Sequence, residues 1–191
     1  MTGEAAGTAI AKISNIYTIK PDHINDLTSA ITTLANDTAA TEREILDFMM
    51  TLGNSMKMFS ATSAEAAALG ATLTSLGIDA SRAGTEVNSA IVFMMRPENI
   101  TKVAKLTGKS TEQIASQDVM QTMIEVGAAI EKLEPTKQSE TLNDLYGLIG
   151  SKSQRTMKKK TISNELSKNV LNSLALSYLG QSTEEKKKKK K

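Results

Sequence analysis

Apolar residues recur every three or four positions along most of this chain, and polar residues fill the positions between them. This spacing puts the apolar side chains on one face of an α-helix, as in helices that pack against a core. The pattern is clearest over residues 6–17, 24–34, 45–59, 119–133 and 162–178. β-branched residues occur singly within these helical patterns, and we identify no convincing strand. The predicted fold class is all-α.

Residues that begin or end helices interrupt the pattern every ten to twenty positions. Thr41 with Glu44, and Thr62 with Glu65, have the spacing of a capping box, in which two side chains satisfy backbone N–H groups of the first turn. Other predicted starts and stops are Pro21 with Asp22, Gly77 with Asp79 or Ser81, Pro97, Gly108, Ser110 with Gln113, Asp118 and Pro135. Such frequent interruptions are incompatible with an extended coiled coil, which needs sustained heptads.

We therefore predict a compact multi-helix domain of about seven to nine helices, joined by short capped connections. The domain is expected to cover residues 1–180. Residues 181–191 end in a run of six lysines and are expected to form a disordered tail, interpreted as a solubility tag or a solvated extension.

The segment 62–95 reads TSAEAAALGATLTSLGIDASRAGTEVNSAIVFMM and predicts two helices joined at a glycine. In the first helix Leu69, Leu73 and Leu76 are expected on one face. Glycine within the second helix costs about 1 kcal/mol relative to alanine, so its presence predicts a close helix contact. The candidate packing or interface residues of this joint are Leu69, Leu73, Gly77, Ile78, Ala83, Gly84, Thr85 and Ile91.

This joint resembles the core region of phage tail tape measure proteins, where a small-residue helix runs into a "GI, then AGT" turn. The blocks GEAAGTAIAKISNIY, LANDTAATEREILDFM and LNDLYGLIGSKS are similar to flanking blocks of that core in contractile-tailed phages and prophages. The resemblance extends from about residue 3 to about residue 175, and it lacks the family's usual upstream sequence. We therefore expect this chain to be a fragment of a longer protein.

The resemblance implies a structural and assembly function in tail assembly, tail length determination and genome delivery. It also implies partners: other copies of the chain, tail tube subunits, the baseplate hub or an assembly chaperone. The expected location is the host cytoplasm during assembly and the virion tail lumen afterwards. Even a fully helical chain of this length would reach only about 290 Å at 1.5 Å per residue, so this compact piece is not expected to be the ruler itself.

The composition of the chain further limits the kind of core and the classes of partner it can have. The chain has 191 residues, 40% of them hydrophobic but only 3% aromatic, which indicates a core of Ala, Leu, Ile and Met. The formal charge of +2 includes Lys186 to Lys191, and the rest of the chain carries 17 basic against 21 acidic residues, or −4. A mildly acidic body argues against specific nucleic-acid binding. Cysteine is absent, and the longest apolar run is too short to span a membrane.

Candidate catalytic chemistry is weak. The one histidine, His23, lies at a predicted helix start and is interpreted as an exposed first-turn residue without a catalytic partner. The acidic residues lack calcium-loop spacing, and the glycines near the joint lack the lysine of a phosphate loop. We expect no enzyme activity, no metal and no cofactor.

Two methionines are candidates for a partner patch. Met50 and Met58 lie off the main apolar stripe of their predicted helix, although methionines more often fill gaps in a core. An alternative function that the sequence leaves open is a cytosolic helical module that binds or regulates proteins and carries a basic tail.

Overall fold

The structure, a computed structural model, describes residues 3–58 and 62–145, with only the backbone described for residues 54 and 56–58. The helices are α1 Gly3–Ile16, α2 Ile24–Asp37, α3 Glu42–Met58, α4 Ser63–Ser75, α5 Ala80–Met94, α6 Pro97–Thr107, α7 Thr111–Ser116 and α8 Val119–Glu131, with a 3₁₀ turn at Pro21–His23 and a helical segment over 135–145. These two ranges contain no strand. The predicted all-α fold with about seven to nine helices is confirmed.

The helices α3 and α4 form the centre of the core. α3 contacts α1, α2, α4 and α5, and it buries Ile45, Phe48, Met49 and Leu52 completely. These residues belong to the apolar stripe that the sequence predicts for this helix. In the predicted helix at 119–133, Val119, Met123, Val126 and Ile130 are likewise buried. Leu133, which the same pattern predicts to be buried, lies beyond the end of α8 and is half-buried.

The helix α4 is enclosed on all sides, which the sequence pattern did not predict. Every residue from Ala66 to Thr74 is buried, including the polar Thr72 and Thr74. Their hydroxyls donate to the carbonyl oxygens of Ala68 and Gly70, both at 2.8 Å, so neither polar group is left without a partner. The expected single apolar face through Leu76 is wrong, because Leu76 lies past the helix end and its side chain is 45% exposed.

Side-chain caps fix most of the helix starts. The two predicted capping boxes are present, with the backbone N–H of Thr41 and that of Thr62 each donating at 2.8 Å to the glutamate three residues later. Ser110 and Gln113 form a third. Such a cap stabilises a helix by about 1 kcal/mol.

Asp79 caps α5 and Asp118 caps α8, as predicted. The prediction that Asp22 caps the second helix is wrong. Pro21 begins a 3₁₀ turn that contains Asp22, and α2 starts only at Ile24 without a side-chain cap.

The joint between α4 and α5 is closed by Gly77 in the left-handed conformation, at φ +78°. Its N–H donates to the carbonyl oxygen of Thr74, and the N–H of Ile78 donates to that of Leu73. This pair of bonds is a Schellman motif, and only glycine adopts its left-handed position without steric cost. Ile78 then packs against the core beside α4.

A polar network holds the second half of the described chain together. The Nζ of Lys109, just after α6, lies 2.6 Å from Oε2 of Glu125 on α8. Gln117 and Gln121 also donate to this carboxylate, at 3.0 and 2.9 Å. Burial by itself raises the pKa of Glu125, but the hydrogen bonds from Gln121, Lys109 and Gln117 outweigh it and leave the pKa below its ordinary value of 4.5.

Replacing Glu125 with glutamine should therefore destabilise the domain at neutral pH. A hydrogen-bonded charged group of this kind contributes about 1–3 kcal/mol. The carboxylate is favoured in the folded state, so its contribution is present above pH 4.5 and is lost as the pH falls through the lower folded value. Urea unfolding at a series of pH values from 7 downward should show the largest difference from the native chain at neutral pH and a shrinking difference as the pH falls below 4.5. Glu131→Gln, at an exposed position on the same helix, is the control; an equal loss in both variants would contradict the network's role.

Some predicted features lie outside the described residues. These are the end of the apolar pattern at 45–59, of which the side chains at 56–58 and residue 59 are not described, the final amphipathic helix at 162–178, the domain boundary at residue 180 and the lysine-rich tail at 181–191. They remain predictions.

Candidate interaction surface

The helices α1 and α3 approach each other closely near the end of α1. A Cβ atom built at Gly53 would lie 2.3 Å from Cγ2 of Ile16, so only glycine allows this spacing. The hydroxyl of Tyr17 donates to the carbonyl oxygen of Met49 at 3.2 Å, and burial raises the pKa of that phenol. Both contacts fix one end of α1 on α3.

Towards the other end of α1 the two helices leave an open groove of about 860 Å³. Along α1 it is lined by the small side chains of Ala5, Thr8 and Ala9. The remaining lining residues are Glu4 and Lys12 from α1 and Arg43, Asp47 and Met50 from α3. We call this the α1–α3 groove.

A second open groove of about 390 Å³ lies on the other side of α3, against the start of α5. Three carboxylates line it, from Glu44, Asp47 and Asp79, and none of its lining residues is basic. Hydrogen bonds from the backbone and side chain of Thr41 lower the pKa of Glu44, although repulsion from the carboxylate of Asp79 opposes this shift. We call this the α3–α5 groove.

Met50 and Asp47 line both grooves and therefore form the ridge between them. Met50 is half-buried and packs against the edge of the core. Asp47 makes a weak pair with Arg43, at 3.6 Å, in which the arginine is largely exposed. The two grooves and this ridge form one continuous surface, which we call the Met50 surface.

The structure places most of the candidate residues of the α4–α5 joint inside the bundle. Leu69, Leu73, Ala83, Gly84 and Ile91 are all buried. Of the remaining three, Ile78 is half-buried, whereas Gly77 and Thr85 are exposed. None of these eight residues lines either groove of the Met50 surface. The first turn of α5, which lies between them in the sequence, does line the α3–α5 groove.

Gly84 makes the close contact that its cost in a helix predicts. A Cβ atom at this position would lie 2.7 Å from Cβ of Thr51 and 3.3 Å from the carbonyl oxygen of Phe48. Its missing side chain therefore serves the packing of α5 on α3 within one chain.

Of the two methionines predicted as a partner patch, Met50 lies on this surface, and the side chain of Met58 is outside the described residues. Sequence reasoning missed Arg43 and Asp47, although Asp47 follows Arg43 by four residues and precedes Met50 by three, which puts all three on one face of α3. It could not have found the α1 wall, because nothing in the sequence specifies that α1 packs beside this face.

Within the described ranges, no group of three or more His, Cys, Asp or Glu side chains is arranged to hold a metal ion. His23, which the sequence predicts to be exposed, is instead half-buried, and its Nδ1 lies 3.0 Å from a carboxylate oxygen of Asp26. Of the helices described, none is both long and apolar enough to cross a membrane.

The described residues thus form an all-α bundle with two open grooves on one outer face. The family model for phage-related minor tail proteins matches residues 1–147, well over half of the chain. The chain belongs to this family of phage tail proteins. No curated protein and no solved structure shows significant similarity to it.

Proposed function

We propose that this chain is the globular helical core of a phage tail tape measure protein. The observation that carries the proposal is the family match over residues 1–147, which covers the complete α4–α5 joint. The joint has the geometry that its own sequence predicts, with a left-handed Gly77 and a tightly packed Gly84. The family match favours this function over that of a cytosolic regulatory module.

The proposed role is structural and does not involve catalysis. The core is a compact domain and not the ruler itself, and it self-associates or docks at one end of the tail during assembly. Its proposed partners are other copies of itself, the tail tube, the baseplate hub or an assembly chaperone. In the same proposal it acts in the host cytoplasm during assembly, and later in the tail lumen until genome delivery.

Tail morphology tests this function in a phage or prophage that carries the gene. A core that cannot fold should abolish tails or release tubes of uncontrolled length, because assembly would lack its starting point. Gly84→Leu is the disrupting variant. Gly7→Leu is the matched control, since Gly7 is exposed and a Cβ there meets nothing within 4 Å. Electron microscopy of lysates should show normal tails for the control alone; normal tails of normal length with an unfolded core would overturn the proposal.

Self-association is tested separately on the purified chain. Light scattering coupled to size exclusion gives its mass across protein and salt concentrations. A discrete oligomer resistant to salt supports an assembly interface within this chain. A monomer under all conditions would contradict homo-oligomerisation through this part of the protein.

A further inference from the structure

Charge is divided unequally along this chain. Residues 1–147 carry 11 basic and 18 acidic side chains, a net charge of −7, whereas residues 148–191 carry 12 basic and 3 acidic side chains, a net charge of +9. The two parts therefore attract each other over distances of about one Debye length, roughly 8–10 Å at moderate salt. Because they belong to one chain, their effective concentration is high.

The Met50 surface has an acidic groove next to a groove with apolar surface. Residues 152–178 have a basic stretch next to an apolar one. The α3–α5 groove is lined by three carboxylates. The adjoining α1–α3 groove offers apolar surface from Ala5 and Met50, beside its charged lining residues Glu4, Lys12, Arg43 and Asp47. The ridge at Asp47 and Met50 joins them without a gap.

Residues 152–178 divide into a basic part and an apolar part. Residues 152–160 contain five basic side chains and no acidic one. The next 18 residues hold an apolar stripe at four-residue spacing, formed by Ile162, Leu166, Val170, Leu174 and Tyr178. On a helix, this apolar stripe would have to pack against another apolar surface to be removed from water. A groove of about 860 Å³ has room for the three or four side chains that a docked helix usually inserts.

We propose that residues 152–178 dock on the Met50 surface of their own chain. The basic residues 152–160 lie along the carboxylates of the α3–α5 groove, and the apolar stripe fills the α1–α3 groove beside Met50. The chain has sufficient reach, because the 16 residues between Leu145 and Ile162 extend to roughly 55 Å, more than the roughly 40 Å across a domain of this size. This inference goes beyond the proposed tail function and does not depend on it.

Paired cysteines in the full chain test this docking directly, since the native chain has none. The variant Met50→Cys with Val170→Cys should be cross-linked within one chain by a short bismaleimide reagent. The matched control is Thr85→Cys with Val170→Cys, because Thr85 is exposed on α5 and does not line either groove. We expect cross-linking at least tenfold faster for the Met50 pair, measured as a mobility shift of the monomer band. Circular dichroism confirms that both variants are folded.

Salt and band size give the remaining outcomes. The advantage of the Met50 pair should fall several-fold in 1 M NaCl, because the basic residues then contribute less to docking. Equal rates for the two pairs overturn the proposal. A cross-linked dimer in place of the shifted monomer also overturns it, and assigns the surface to the same segment of a second copy.

Discussion

Gly84→Leu should remove a large part of the domain's free energy of unfolding. The Cβ alone would approach the Cβ of Thr51 to 2.7 Å and its Cγ2 to 2.9 Å, and the backbone oxygen of Phe48 blocks the remaining space at 3.3 Å. Overpacking a tight core typically costs about 1–3 kcal/mol, and a leucine against backbone should reach the upper end or exceed it. A domain of this kind is stable by only about 5–15 kcal/mol in total.

Urea unfolding followed by circular dichroism measures this loss. Gly7→Leu makes the same chemical change on an exposed face of α1, where leucine is a better helix former than glycine, so it should raise stability by up to about 1 kcal/mol. A folded Gly84→Leu chain that has lost only an oligomeric state would contradict packing as the role of Gly84 and would indicate an interface instead.

Phe48→Ala should cost about 3–5 kcal/mol, the range for removing a buried aromatic ring. Phe48 is completely buried at the centre of α3, and its ring lies so close to Gly70 that a Cβ there would be 2.7 Å from Cδ1. Gly70 has no side chain that could move into the vacated space. The cavity should therefore stay largely open, which puts the cost near the top of this range.

Phe93→Ala is the control for Phe48→Ala in thermal and urea unfolding. Phe93 is half-buried, and its ring lies 4.5 Å from the guanidinium of Arg96. Loss of this cation–π contact and of partial burial should cost about 1–2 kcal/mol. An equal loss in the free energy of unfolding for both variants would contradict the central role of Phe48 in the core.

Local sequence signals predicted the helix ends of this fold well, because capping boxes and left-handed glycines act within a few residues. Thr41 with Glu44, Thr62 with Glu65, Gly77 and Asp118 all have the predicted roles. The prediction that Asp22 caps α2 was wrong because the neighbouring Pro21 favoured a 3₁₀ turn over direct entry into the helix.

The arrangement of the helices was not predictable to the same degree. The run of alanines in α4 carries no strong apolar face, and whether its polar side is exposed depends on which helices surround it. For the same reason the sequence singled out Met50 but not the grooves beside it, whose walls come from three helices far apart along the chain.

The enclosure of α4 has a consequence for how this domain can open. A helix buried from Ala66 to Thr74, with α2, α3 and α5 all in contact with it, has no partially detached state that keeps its neighbours in place. The amide hydrogens of α4 can therefore exchange with water only when the surrounding bundle comes apart, and their exchange reports the stability of the whole unit. We therefore expect the amides of α4 to be among the slowest to exchange in the described helices.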